Sequence, residues 1–122
     1  MKNPIVWFSI QVDDMARARA FYEGVFGVKL TRLENAGNEM WAFPSEMNAY
    51  GASGALTLTP GARSGGNSTV VYFTCDDCAV EAEKAAKAGG RIQQPKMSIG
   101  QYGHAAVVID TEGNVIGLHS MR

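Results

Sequence analysis

The chain is poor in the residues that make metal and thiol chemistry. Its 122 residues include two histidines and two cysteines. Two cysteines supply half of a four-cysteine zinc site and no second pair completes it. His104 and His119 stand without neighbouring carboxylates in sequence, and one imidazole alone does not hold a divalent metal. Long apolar runs are missing, which excludes a membrane-spanning helix. The N-terminus, MKNPIVWFSI, has one lysine and an early polar interruption, so it does not read as a secretory signal. The expected compartment is the cytoplasm. Charge of one sign is also missing. A net charge of −1 gives no electrostatic reason to expect nucleic acid or an anionic membrane as partner. What remains is ordinary for a globular protein: 46% hydrophobic and 19% charged residues, in a length that makes one domain with a real core.

The stretch Ile5–Gly27 organises the rest. Phe8, Ile10 and Val12 alternate as one apolar strand face, so Trp7, Ser9 and Gln11 point the other way. Asp14 is placed to cap a helix. Within that helix Ala18, Phe21, Tyr22, Val25 and Phe26 fall at amphipathic spacing, which predicts an apolar stripe facing Phe8, Ile10 and Val12. Gly27 suits a left-handed helix end.

The same device recurs 63 residues on, where Asp76-Asp77 and then Gly89-Gly90 stand. Val71, Phe73 and Cys75 alternate as Phe8, Ile10 and Val12 do. Ala82, Ala85, Ala86 and Gly89 form a small-residue version of the helix stripe. Two copies are too few for a solenoid, so a duplicated domain is the better description.

In chain order, residues 5–12 read as strand, 14–26 as helix, 28–33 as strand, 35–38 as turn, 39–43 as strand ended by Pro44, 45–53 as loop and 54–59 as strand ended by Pro60. Residues 61–67 (GARSGGN) are the most linker-like segment. The second half follows with strand 69–75, helix 78–88, a short strand 91–94 stopped by Pro95, loop 96–103, strand 104–110, turn 111–114 and strand 115–120. Each half is β-α-β-β-β. The expected fold is α+β, one domain over 1–122 built of modules 1–60 and 68–122, with helices covering one sheet face and the other face free to form a cup.

The two βαβββ halves, the capped helix with Phe21-Tyr22 and Gly27, and the turn Asp110-Thr111-Glu112-Gly113-Asn114 together resemble the vicinal oxygen chelate superfamily. That group contains glyoxalases, extradiol dioxygenases and bleomycin-type resistance proteins. The resemblance implies a cupped, mostly antiparallel sheet with helices on its outer face, and a homodimer. Metal-dependent members of the group carry ligands on the first and last strand of each half. Those positions correspond here to Trp7, Thr57, Val70 and Gly117, and none of the four is a useful donor. The expectation is therefore the fold without the metal, and no other cofactor. Ring-cleaving dioxygenase and lactoylglutathione lyase activities are disfavoured for the same reason.

Cys75-Asp76-Asp77-Cys78 has the spacing of a redox motif, but the two aspartates oppose a thiolate, and a buried, small, apolar Cys75 with an incidental Cys78 is the preferred explanation. The cup is the remaining candidate. Strand parity assigns Trp7, Ser9, Gln11, Thr57, Tyr72 and His119 to it. Trp41 and Phe43 share one face of the third strand and are expected to join them, with Tyr102 on a loop at the rim. An aromatic cup with a few polar groups is the usual make-up of a small-molecule site. Glu46 and His119 are the candidate proton-transfer residues. Two functions stay open: a metal-free enzyme acting on a small metabolite, and a non-catalytic protein that sequesters an aromatic small molecule or antibiotic. The expected partners are a small-molecule ligand and a second copy of the chain, with neither nucleic acid nor membrane.

Overall fold

The computed structural model describes residues 3–34 and 37–122, so two positions of the expected turn at 35–38 lie outside the described residues. The elements follow in the order β1 (Ile5–Gln11), α1 (Met15–Phe26), β2 (Thr31–Leu33), β3 (Glu39–Ala42), β4 (Ser53–Leu58), β5 (Thr69–Thr74), α2 (Cys78–Lys87), β6 (Arg91–Ser98), β7 (His104–Ile109) and β8 (Val115–Ser120). This is the α+β, twice-repeated βαβββ arrangement. The chain divides into two compact units: a first module of Trp7–Thr69, and a second of Val70–Arg122 with the chain's start up to Val6. No helix is long and apolar enough to cross a membrane among the described residues.

In the first module the strands lie in the order β2-β3-β4-β1. β1 runs parallel to β4, while β3 is antiparallel to both β4 and β2. α1 begins where the Asp14 carboxylate accepts the Arg17 N–H, at 3.0 Å. It ends where Gly27, at φ 64°, donates its N–H to Glu23 O. A left-handed φ is open to glycine at no steric cost. Val12, Met15, Leu30 and Leu56 form the buried centre, with Ile10, Ala18, Tyr22, Trp41, Phe43 and Leu58 packed around it.

That centre corrects the expected helix stripe. Only Met15, Ala18 and Tyr22 of α1 reach the core, whereas Phe21 and Val25 are each 59% exposed and Phe26 62%. The sequence stripe spans more of the helix circumference than a four-strand sheet touches. Tyr22 still holds its neighbours by ring contacts, edge-on to Phe21 at 5.1 Å and stacked with Phe26 at 6.1 Å.

In the second module the order is β5-β8-β7-β6, with β5 parallel to β8 and the other pairs antiparallel. Its core is Cys78, Ala82, Ala106, Val108 and Leu118, flanked by Phe73, Cys75, Ala85, Ile92 and Ile116. Cys78 is thus fully buried core rather than incidental, and Ala86 and Gly89 are exposed. Asp77 caps α2, accepting from Ala79 N–H at 3.0 Å, and also holds Lys96 Nζ at 2.9 Å. These two contacts, led by Lys96, keep its carboxyl below the usual range. Pro95 does not stop β6. The strand continues to Ser98 through two register shifts, and a bulged outer strand is where a proline's missing N–H is tolerated.

The repeat is not uniform. The N-caps Asp14 and Asp77 are 63 residues apart, but Leu56 lies opposite Ile10 while Leu118 lies opposite Phe73, a separation of 62. On the last strands, therefore, His119 is the counterpart of Thr57, and Gly117 that of Ala55.

Candidate functional site

Strand register decides which side chains share a face. In the first module Ile10 lies opposite Leu56, and both pack toward α1. Side chains alternate along a strand, so Trp7, Ser9 and Gln11 of β1 and Ser53, Ala55 and Thr57 of β4 form the α1-distal face. Across β3, Met40 and Ala42 lie opposite Thr57 and Ala55, and across β2, Leu33 and Thr31 lie opposite Met40 and Ala42. All ten residues are uncharged. The only ionisable side chains on these strands, Arg32 and Glu39, have the opposite parity: Arg32 is opposite Trp41 and Glu39 opposite Leu58.

Within the face the polar groups are closely managed. The Trp7 indole N–H donates to Ser9 Oγ at 3.3 Å. Gln11, buried, donates Nε2–H to Val12 O at 2.9 Å. Thr57 is 7% exposed, and its hydroxyl oxygen has no hydrogen-bond partner among the described residues. Ala55 beside it is fully buried.

Trp41 and Phe43 do not join this face. They share a strand face as expected, but it is the one turned to α1, because Trp41 lies opposite Leu56. The Arg19 guanidinium sits 3.6 Å from the Trp41 ring centroid, and the indole N–H donates to Glu39 Oε2 at 2.9 Å. Phe43 packs 5.6 Å from both Tyr22 and Phe8. Both aromatics are packing groups here.

In the second module Phe73 and Leu118 face α2, so Tyr72, Thr74, Gly117 and His119 take the α2-distal face. His119 Nε2 lies 2.6 Å from Tyr102 O. A carbonyl only accepts, so Nε2 carries the proton in this contact. Tyr102 sits in a 3-10 turn at Gly100–Tyr102, 38% exposed. His104 lies opposite Ser120 on the α2 side, half-buried, its Nδ1 without a partner among the described residues. Met47 and Tyr50 are fully solvated and Glu46 is exposed on the loop after β3, and the Glu46 carbonyl accepts the Ala49 N–H at 3.1 Å.

A hollow of about 360 Å³ that strand parity does not anticipate opens at the start of α1. It is lined by Gln11, Asp13, Asp14, Arg17 and the Ser64–Gly66 loop, among others. Its acids are committed. The Asp13 carboxylate accepts Ser64 Oγ–H at 2.7 Å and Ser64 N–H at 3.0 Å, which hold its pKa down, and Asp14 caps the helix. The signal was present in Asp13-Asp14 and GARSGGN, but their pairing needs the fold.

The positions at which metal-dependent relatives carry ligands do not fit a metal. Trp7 and Thr57 in the first module and Val70 in the second offer one hydroxyl between them, and the register puts His119, not the expected Gly117, at the counterpart of Thr57, which adds a single imidazole. At Gly117 the space a side chain needs is taken by the Tyr72 ring. Among the described residues no three His, Cys, Asp or Glu side chains converge. The cysteines make no redox pair of ordinary reactivity either. Burial first, then the Glu81 charge, pushes the Cys75 thiol up to about 11.

Two βαβββ modules, each a mixed four-stranded sheet with one helix, define the vicinal oxygen chelate class of fold. The chain belongs to the Glyoxalase/Bleomycin resistance protein/Dioxygenase superfamily, whose family model matches residues 4–118. Among curated proteins it is 29% identical over 114 residues to CFP32 of Mycobacterium tuberculosis and of Mycobacterium bovis, a protein provisionally named a glyoxylase. The match covers 93% of this chain and 42% of theirs, so the chain spans less than half the length of these relatives. Among solved structures it is similar to Streptomyces coelicolor methylmalonyl-CoA epimerase in complex with 2-nitronate-propionyl-CoA, with a TM-score of 0.67 and 15% identity over 97% of this chain and 94% of that one. Hypothetical protein BH1468 from Bacillus halodurans gives a TM-score of 0.74 at 11% identity, covering 100% and 96%. At such identities the likeness is one of fold.

Proposed function

We propose that this domain binds a small molecule on the α1-distal face of its first module, without a metal and without turnover. The observation that carries this reading is the grouping of Trp7, Ser9, Gln11 and Thr57 on one half-buried to buried face whose strands present no ionisable side chain on that side. An aromatic platform beside a few placed polar groups is the make-up of a ligand site. Glu46, the loop acid, stands in solvent. The test is native mass spectrometry of the protein as purified. A small organic molecule retained by the wild type and lost in Trp7→Ala is expected; retention that depends on an added divalent metal overturns the reading.

A second reading, a metal-free enzyme acting on a small metabolite, draws on one specific feature of the second module. Tyr102 O accepts the His119 Nε2–H and so orients the ring, which is how a general base is held. The provisional glyoxylase name of the relatives points the same way. Turnover in a metal-stripped sample, abolished by His119→Ala, selects this second reading; turnover unchanged in that variant excludes His119 from it.

A further inference from the structure

We infer that the ligand taken by the first module is electrically neutral where it meets the sheet, and that it hydrogen-bonds the Thr57 hydroxyl. This deepens the binding role proposed above and rests on it.

Thr57 is 7% exposed, and its Oγ1 is without a partner among the described residues. An unmade hydrogen bond on a buried hydroxyl is costly, and native chains rarely keep one without a use. The residue opposite, Gln11, does not bond it; the Gln11 side chain donates an Nε2–H to Val12 O instead. A valine would fill the same volume without the orphaned oxygen. The hydroxyl therefore marks the point where a polar atom of another molecule docks.

The charge pattern defines that molecule further. The two ionisable residues on these strands, Arg32 and Glu39, both lie on the α1 side of the sheet. A carboxylate, phosphate or ammonium pressed onto the distal face would lose water and meet no counter-charge on these strands, at a cost that one hydroxyl does not offset. An uncharged flat molecule with a hydroxyl, amide or carbonyl group satisfies both conditions. Its ring stacks on Trp7 and its polar atom meets Thr57.

Three probes of one shape separate the possibilities: 4-nitrobenzyl alcohol, 4-nitrobenzamide and 4-nitrobenzoate. Binding is followed by the Trp7 indole N–H resonance of the wild-type chain, assigned with Trp41→Phe. The two neutral probes are expected to shift Trp7, and the benzoate to bind at least 10-fold more weakly. Thr57→Val is expected to weaken the neutral probes by about 3- to 10-fold while leaving the melting temperature unchanged or raised. A benzoate that shifts Trp7 at equal or lower concentration overturns the neutral-ligand inference and leaves the binding face standing. Full affinity in a folded Thr57→Val overturns the role of the hydroxyl. No shift of Trp7 by any probe overturns the binding face itself.

Discussion

The ring of Tyr72 occupies the space that a side chain on Gly117, its partner across the β5–β8 ladder, would need. The same relation holds between Phe8 and Gly54 in the first module. In each case the glycine is kept by a neighbouring ring rather than by its own backbone conformation.

Gly117→Ala is therefore expected to destabilise the domain by about 1–3 kcal/mol, the usual range for overpacking, measured by chemical denaturation. Gly54→Ala should behave alike. Gly24→Ala is the control, since nothing lies within 4 Å of an added Cβ there and the residue is helical; it should stabilise by about 0.5–1 kcal/mol. Elemental analysis of the purified protein should find no stoichiometric zinc, nickel, iron or manganese.

The two tryptophans should separate folding from binding. Trp41 joins the core beneath Arg19, so Trp41→Ala should cost about 3 kcal/mol of stability and leave probe affinity intact. Trp7→Ala should weaken probe binding by about 1–3 kcal/mol, the range for losing a stacking platform, with the smaller loss of stability. The reverse pattern, read from paired melts and titrations, would make Trp7 the packing residue.

Alkaline pH should weaken the fold through Cys75. An unfolded cysteine ionises near 8.5, whereas the native thiol holds its proton to about 11. Between these values the unfolded chain binds fewer protons, so stability falls as pH rises from about 9 to 11. Cys75→Ala should flatten that part of a stability–pH curve. Iodoacetamide at pH 8 should leave both cysteines unmodified in the native protein and label both in denaturant.

Acid should act through a different set. Asp13, Asp77 and Asp110 all have lowered pKa values, set first by Ser64, Lys96 and Asn114 respectively. A depressed carboxylate stabilises above its unfolded pKa and loses that effect as pH falls through the native one. Stability should drop below about pH 4, and Asp110→Asn, which disturbs the turn bonds to Glu112, Gly113 and Asn114, should reduce the size of that drop.

Several of these features were legible beforehand because they are local. Asp14 and Asp77 announce two helix starts, and Phe8, Ile10 and Val12 announce a strand face, within a few residues each. Trp7, Ser9, Gln11, Thr57, Tyr72 and His119 follow from the same parity. Parity also pairs Trp41 with Phe43, but which face they take depends on the register between β3 and β4, a contact about 15 residues away in sequence. Phe21 and Val25 look like core because amphipathic spacing reports one side of a helix, not how much of that side a narrow sheet covers. Pro95 reads as a stop because its bulges are a property of the pair, not of the strand. The orphaned Thr57 hydroxyl has no sequence signal at all: it is defined by what its neighbours do with their own hydrogen bonds.

The segregation of Arg32 and Glu39 from the distal face has a consequence for ionic strength. Charged sites gather counter-ions and surrender them on binding, so their affinities drift with salt. A face with no charge has none to release. Ligand capture there should hold steady from dilute buffer to seawater-like salinity, while the exposed Phe21, Val25 and Phe26 on the far side of α1 grow more adhesive as sulfate or phosphate is added. One small module thus turns a salt-indifferent surface and a salt-responsive one in opposite directions.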